Sequence, residues 1–215
     1  LSVYLHLGTG LAALVYFRNE VAGILGRGSE GDRELFRFLL IATIVTGAVG
    51  FPIFAVVRLT SLYGEALLAL TGLALLATGV MQRGRESGGT QEPTRLDLQD
   101  GLALGVVQGL SVIPGLSRSG VTTTAFLFKD FSGEQALRLS FLMSIPASFA
   151  AVAGLALIEG APPMDTGILL ALAASFISAL VSIDLLIKLA RRIRFWKLCV
   201  VLGLIALVAV IPYLF

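Results

Sequence analysis

Six runs of apolar residues, Leu1–Phe17, Leu35–Val57, Leu62–Met81, Ala136–Ile158, Gly167–Ile187 and Leu198–Leu214, constrain this chain more than anything else in it. Each approaches the ~20 residues that carry an α-helix across a bilayer. In hydrocarbon every backbone N–H and C=O must be satisfied within the protein, so such runs fold as helices packed on helices. The chain of 215 residues is 56% hydrophobic and only 14% charged, with a mean hydropathy of +0.91, far from the soluble average. The expected fold is all-α: a polytopic integral membrane protein of one domain with about six transmembrane helices.

A net charge of +2, with the basic residues gathered between the apolar runs, suits membrane topology and argues against nucleic-acid binding. Cys199 is the single cysteine and lies in an apolar run, so no internal disulfide forms. One histidine and no Cys/His cluster exclude a zinc site of the usual kind. No cleavable signal peptide is visible, and the chain opens without methionine, which reads as a fragment.

Segments 18–34 (Arg18, Arg27, Arg33), 82–100 (Arg83, Arg85, Arg95) and 190–197 (Arg191, Arg192, Arg194, Lys197) are basic, whereas 159–166 holds only Glu159 and Asp165. The positive-inside rule makes the first three cytoplasmic and the fourth external. These sides agree only if residues 101–128 enter and leave the membrane on one face. Asp100 to Val112 and Ser119 to Phe128 are each too short to cross, so a re-entrant hairpin of two short helices is expected, with Pro114–Ser119 at its tip. The glycine-rich stretch within 82–100 reads as a linker between 1–81 and 101–215.

A faint repeat aligns Ser2–Ala13 with Ser140–Ala151. The loop after the first helix is basic and the loop after its counterpart acidic, so the halves would run in opposite orientations, as in inverted-repeat membrane folds. The hairpin precedes Ser140, so a matching hairpin would precede Ser2. On this reading the chain lacks half of its active site.

The chemistry centres on Pro114-Gly115-Leu116-Ser117-Arg118-Ser119-Gly120. An arginine at bilayer depth costs several kcal/mol unless compensated, and irregular backbone there must be buried or meet a watery cavity. Arginine, hydroxyls and free N–H groups together form a receptor for phosphate. Arg118 would hold phosphate oxygens and stabilise charge in phosphoryl transfer. Ser117 and Ser119 would donate to phosphate, with helix capping a compatible role. Thr122 either faces the same site or bonds a carbonyl of its own helix. Gln108 and Ser111 share a helix face and either line the cavity or bond helix to helix. His6 fits a polar contact between helices, Asp184 an ion pair with Lys188, and Gly101, Gly105, Gly109, Ala171, Ala173 and Ala174 close helix packing.

The stretch Gly105–Thr122, with its P-G-x-S-R-S-G-x-T core, closely resembles the second signature of the undecaprenyl-diphosphate phosphatase (bacitracin-resistance) family. The likeness continues through Ser140–Pro146 into the basic turn before the final helix, and Leu5–Thr9 resembles the segment after the family's first signature. The resemblance implies hydrolysis of a polyprenyl diphosphate to the monophosphate lipid carrier, recycled for cell-wall (peptidoglycan) or other glycan assembly at the plasma membrane. It implies two re-entrant hairpins, a divalent cation (Mg2+ or Ca2+), and phosphate contacts from Ser117, Arg118, Ser119 and Thr122, with Gly120, Gln108 and Ser111 beside them. Expected partners are the lipid substrate and the membrane, with a homodimer as an option and no nucleic acid. The first signature, bearing two glutamates, serines and a histidine, has no counterpart in the chain, and His6 does not replace that histidine. The residues present are thus expected to be inactive alone and active in the complete protein. The competing reading is a transporter or flippase for a phosphate-bearing substrate, since broken helices in inverted repeats also build transporters. A third is a degenerate homologue without activity.

Overall fold

The computed structural model describes residues 2–57, 64–83, 96–113, 116–160, 165–190, 195–210 and 212. Among these residues the regular structure is helical: α1 Ser2–Tyr16, α2 Arg18–Gly26, α3 Glu30–Val57, α4 Gly64–Gln82, α5 Leu98–Leu110, α6 Arg118–Phe128, α7 Gly133–Glu159, α8 Thr166–Ala190 and α9 Phe195–Val208. The helices α3, α7 and α8 are long and apolar enough to cross a membrane, and apolar stretches of α1 and α9 are shorter. Among the described residues, the main part of each of the six apolar runs falls on one of α1, α3, α4, α7, α8 and α9.

Segment 18–34 is not the loop that its charges suggested. It folds as α2 and the start of α3. Arg27 ends α2 in the left-handed conformation at φ 50°, its N–H donating to the Gly23 and Ile24 carbonyls. Ser29 Oγ accepts from the Asp32 N–H at 3.1 Å while the Asp32 carboxylate accepts from the Ser29 N–H at 3.1 Å, a reciprocal cap that starts α3. The Glu20 carboxylate takes two bonds from the Arg138 guanidinium, 2.8 and 2.7 Å, tying α2 to α7.

Small residues decide how closely the helices approach. The pair α1 and α7 runs antiparallel, with Phe17 stacked on Phe141 and a Cβ on Gly10 falling 3.0 Å from Ser148 Cβ. Gly10 and Ser148 are aligned positions of the repeat, so equivalent helices cross at equivalent residues, as a two-fold relation between halves requires. Gly72 of α4 and Gly203 of α9 meet the same way, each facing the other's carbonyl. Ala173 and Ala174, expected in helix packing, are instead exposed on α8. In a membrane-spanning helix that face is open to lipid, where small side chains carry no penalty.

The hairpin sits on α3. Cβ atoms on Gly101, Gly105 and Gly109 would lie 3.1, 2.7 and 2.8 Å from Ile41, Val45 and Val49 side chains, so these glycines let α5 lie parallel against α3. Helix α5 rises about 20 Å over 13 residues, and Gly109 lies beside Gly50, with α3 continuing to Val57. The chain then returns through α6, because Lys129 after α6 pairs with Asp100 at the start of α5. Phe126 packs on Phe38 and on Phe131 at the same end. Two antiparallel short helices whose base ends meet, the first ending beside Gly50 well before the end of α3 at Val57, form a helical hairpin of the re-entrant kind that the charges predicted.

Candidate active site at the hairpin tip

Pro114 and Gly115 lie outside the described residues; the chain is followed again from Leu116. Ser117 is extended (φ −68°, ψ 113°), and its Oγ caps α6 by accepting the Gly120 N–H at 3.2 Å. A Cβ on Gly120 would come within 3.2 Å of Ser117 Cβ, so only glycine allows the cap to close this tightly. Ser119 Oγ stands 3.4 Å from Ser117 Oγ. At most one of the two hydroxyl protons is used between them, leaving at least one for a ligand.

Arg118 opens α6, where exposed N–H groups favour an anion. Its Nη1 is buried and has no hydrogen-bond partner, and no salt bridge involves it among the described residues. A cation removed from water must be compensated, and nothing in the described fold does so. Among the described residues the arginine, half-buried as a whole, makes no ion pair, and its Nη1 is withdrawn from solvent. Among the described residues the other buried polar side-chain atoms without partners are Gln108 Oε1, Thr123 Oγ1 and Trp196 Nε1. Three of these four atoms belong to the hairpin.

Thr122 does not present its hydroxyl at the tip surface. It is fully buried, donates to the Arg118 carbonyl at 2.7 Å and lies 2.6 Å from Ser140 Oγ on α7. Gln108 Nε2 donates to Thr46 Oγ1 at 3.1 Å, and Thr46 Oγ1 donates in turn to the Gly105 carbonyl. Its amide nitrogen thus binds helix to helix, while Oε1 stays unsatisfied. Ser111 caps the end of α5 by donating to the Gln108 carbonyl at 2.6 Å. Four expected residues, Ser117, Arg118, Ser119 and Gly120, form one polar turn, Thr122 bonds that turn from within, and Gln108 and Ser111 bond on α3 and at the end of α5 instead. His6 is exposed on α1, and Asp184 takes the Lys188 ammonium at 2.6 Å and the Tyr16 hydroxyl at 3.3 Å.

Thr46 and Ser140 were not singled out from the sequence as part of this network. Each is a hydroxyl inside an apolar run, a usable signal that does not reveal its partner. An apolar cavity of about 350 Å³ lies between α1, α2, α3 and α7, lined by Leu14, Phe36, Ile145 and Phe149 among others. None of its lining residues belongs to the hairpin. No group of three His, Cys, Asp or Glu side chains converges among the described residues, so these do not fit the divalent cation that the resemblance implied.

The sequence profile of the family described as "Bacitracin resistance protein BacA" matches residues 1–207. A protein named undecaprenyl-diphosphatase from Methanococcoides burtonii is 38% identical over 96% of this chain and 81% of its own length. The protein of the same name from Haloarcula marismortui is 38% identical over 94% and 79%, and that from Methanothrix thermoacetophila 36% over 96% and 79%.

Proposed function

We infer the activity from two premises: this chain belongs to the bacitracin resistance protein BacA family, and its hairpin buries a guanidinium nitrogen that no protein group satisfies. The protein is a membrane-bound polyprenyl-diphosphate phosphatase. It adds water across the terminal anhydride of an undecaprenyl-type diphosphate, breaking the bridging P–O bond. The products are the monophosphate lipid carrier, recycled for cell-wall or glycan synthesis, and inorganic phosphate.

The observation that carries this reading is the buried, unpartnered Nη1 of Arg118, a residue that opens a helix between two serines whose hydroxyls lie 3.4 Å apart. A fork of N–H donors matches phosphate oxygens, and it strengthens its hold as negative charge builds on the leaving group. Ser117 and Ser119 orient the same oxygens. Thr122 holds the turn that presents them, while Gln108 and Ser111 fix the far end of α5. A divalent cation is retained on the resemblance alone, with no step routed through it; chelation with EDTA should then abolish turnover. A second copy of the chain as partner is carried on the same terms, and light scattering of the detergent-purified protein would decide it.

The test is phosphate release from polyprenyl diphosphate by detergent-purified full-length protein, with and without Arg118→Ala. Undiminished release in the variant removes Arg118 from the active site. Substrate movement without phosphate release would support the transporter reading. For location we propose the plasma membrane with Gly160 outside. A cysteine placed there should label from the exterior, and one at Ser87, which lies outside the described residues, from the cytoplasm.

A further inference from the structure

We propose that Ser140 is a positioning residue for Arg118, acting through Thr122, an inference that rests on the active-site reading above. The two hydroxyls lie 2.6 Å apart in fully buried surroundings, and distance alone leaves the donor open. Counting protons settles it. Thr122 has a single hydroxyl proton, and that proton goes to the Arg118 carbonyl at 2.7 Å. Ser140 must therefore donate to Thr122 Oγ1. A relay results: Ser140 O–H to Thr122 O, then Thr122 O–H to the Arg118 C=O.

The relay starts on α7, a 27-residue helix whose first half is almost wholly buried, and ends on the peptide carbonyl of the arginine itself. Backbone at a helix N-terminus frays most readily, and the first turn of α6 must hold a guanidinium that makes no ion pair among the described residues. The relay ties that turn to the most deeply packed part of the molecule. Ser140 touches neither substrate nor Arg118, so its effect on chemistry runs wholly through placement.

The experiment measures phosphate release by full-length protein carrying Ser140→Ala, Thr122→Val, both together, Thr122→Ser or Ser140→Cys, with thermal unfolding in detergent alongside. Ser140→Ala should lower kcat about tenfold, with a smaller change in KM, because a misplaced group costs transition-state stabilisation first. Adding Ser140→Ala to Thr122→Val should lower kcat no further, since the relay is already broken. Thr122→Ser keeps the hydroxyl and should stay near the wild-type rate; Ser140→Cys, a weak donor of similar size, should fall between wild type and Ser140→Ala. Unchanged kcat in Ser140→Ala overturns the proposal, and so do additive losses in the double variant or losses that merely track unfolding. Those results differ from failure of the site itself, which would show as full turnover in Arg118→Ala.

Discussion

The two ends of the hairpin carry charge in opposite ways. At the base, Lys129 pairs with Asp100, and Asp100 also accepts the Asp97 N–H at 3.2 Å while Asp97 caps α5 in return. Phe38, Phe126 and Phe131 seal that end with edge and tilted contacts. At the tip, about 20 Å along α5, Arg118 keeps a buried nitrogen with no partner. Among the described residues one cation is satisfied by a carboxylate and the other keeps a nitrogen without a partner. Charge at the base holds the hairpin closed, whereas charge at the tip is held ready for an anion from outside the chain.

That contrast can be broken by substitution. Arg118→Ala should lower turnover roughly 10²–10³-fold, the usual loss when one donor to developing charge is removed, with little change in thermal stability because no hydrogen bond or ion pair of its side chain is found among the described residues. A stability loss comparable to the activity loss would mean that the tip, like the base, is structural. Gly105→Ala places a methyl 2.7 Å from Val45 Cβ and 2.8 Å from the Ala42 carbonyl, so α5 must move off α3. Overpacking of that kind costs about 1–3 kcal/mol, readable as a lower unfolding temperature. Lys129→Met should leave KM unchanged and lower the unfolding temperature, at a cost of about 1–3 kcal/mol, because the buried Asp100 carboxylate loses its cation. A KM effect from Lys129→Met would show that the base also senses substrate. Ser117→Ala removes the α6 cap at about 1 kcal/mol and one phosphate donor, so both turnover and stability should fall modestly.

Much of this arrangement was legible in the sequence because membrane helices write their length in apolar runs, and because Arg118 had no evident reason to sit between them. The Gly101-Gly105-Gly109 spacing also announced its use, since residues four apart share a helix face. What escaped depended on distant partners. Segment 18–34 read as a charged loop because Arg138, which donates to Glu20 and ties α2 to α7, lies 118 positions away. The start of α3 could have been read from Ser29 and Asp32, spaced as a reciprocal cap. Thr122 remained undecided between ligand and carbonyl because Ser140, eighteen positions on, closes the relay. Ala173 and Ala174 misled because a small residue permits close packing without requiring it.

Affinity for the diphosphate head group tests the central claim most directly. Full-length protein, its Arg118→Lys and its Arg118→Ala variants should be titrated in detergent or nanodiscs with a non-hydrolysable polyprenyl diphosphonate. Arg118→Ala should weaken binding roughly 100-fold, and Arg118→Lys should fall between, because an ammonium keeps the charge but loses the fork. Equal affinity in all three proteins would contradict the account, leaving the buried guanidinium without the anion that explains it.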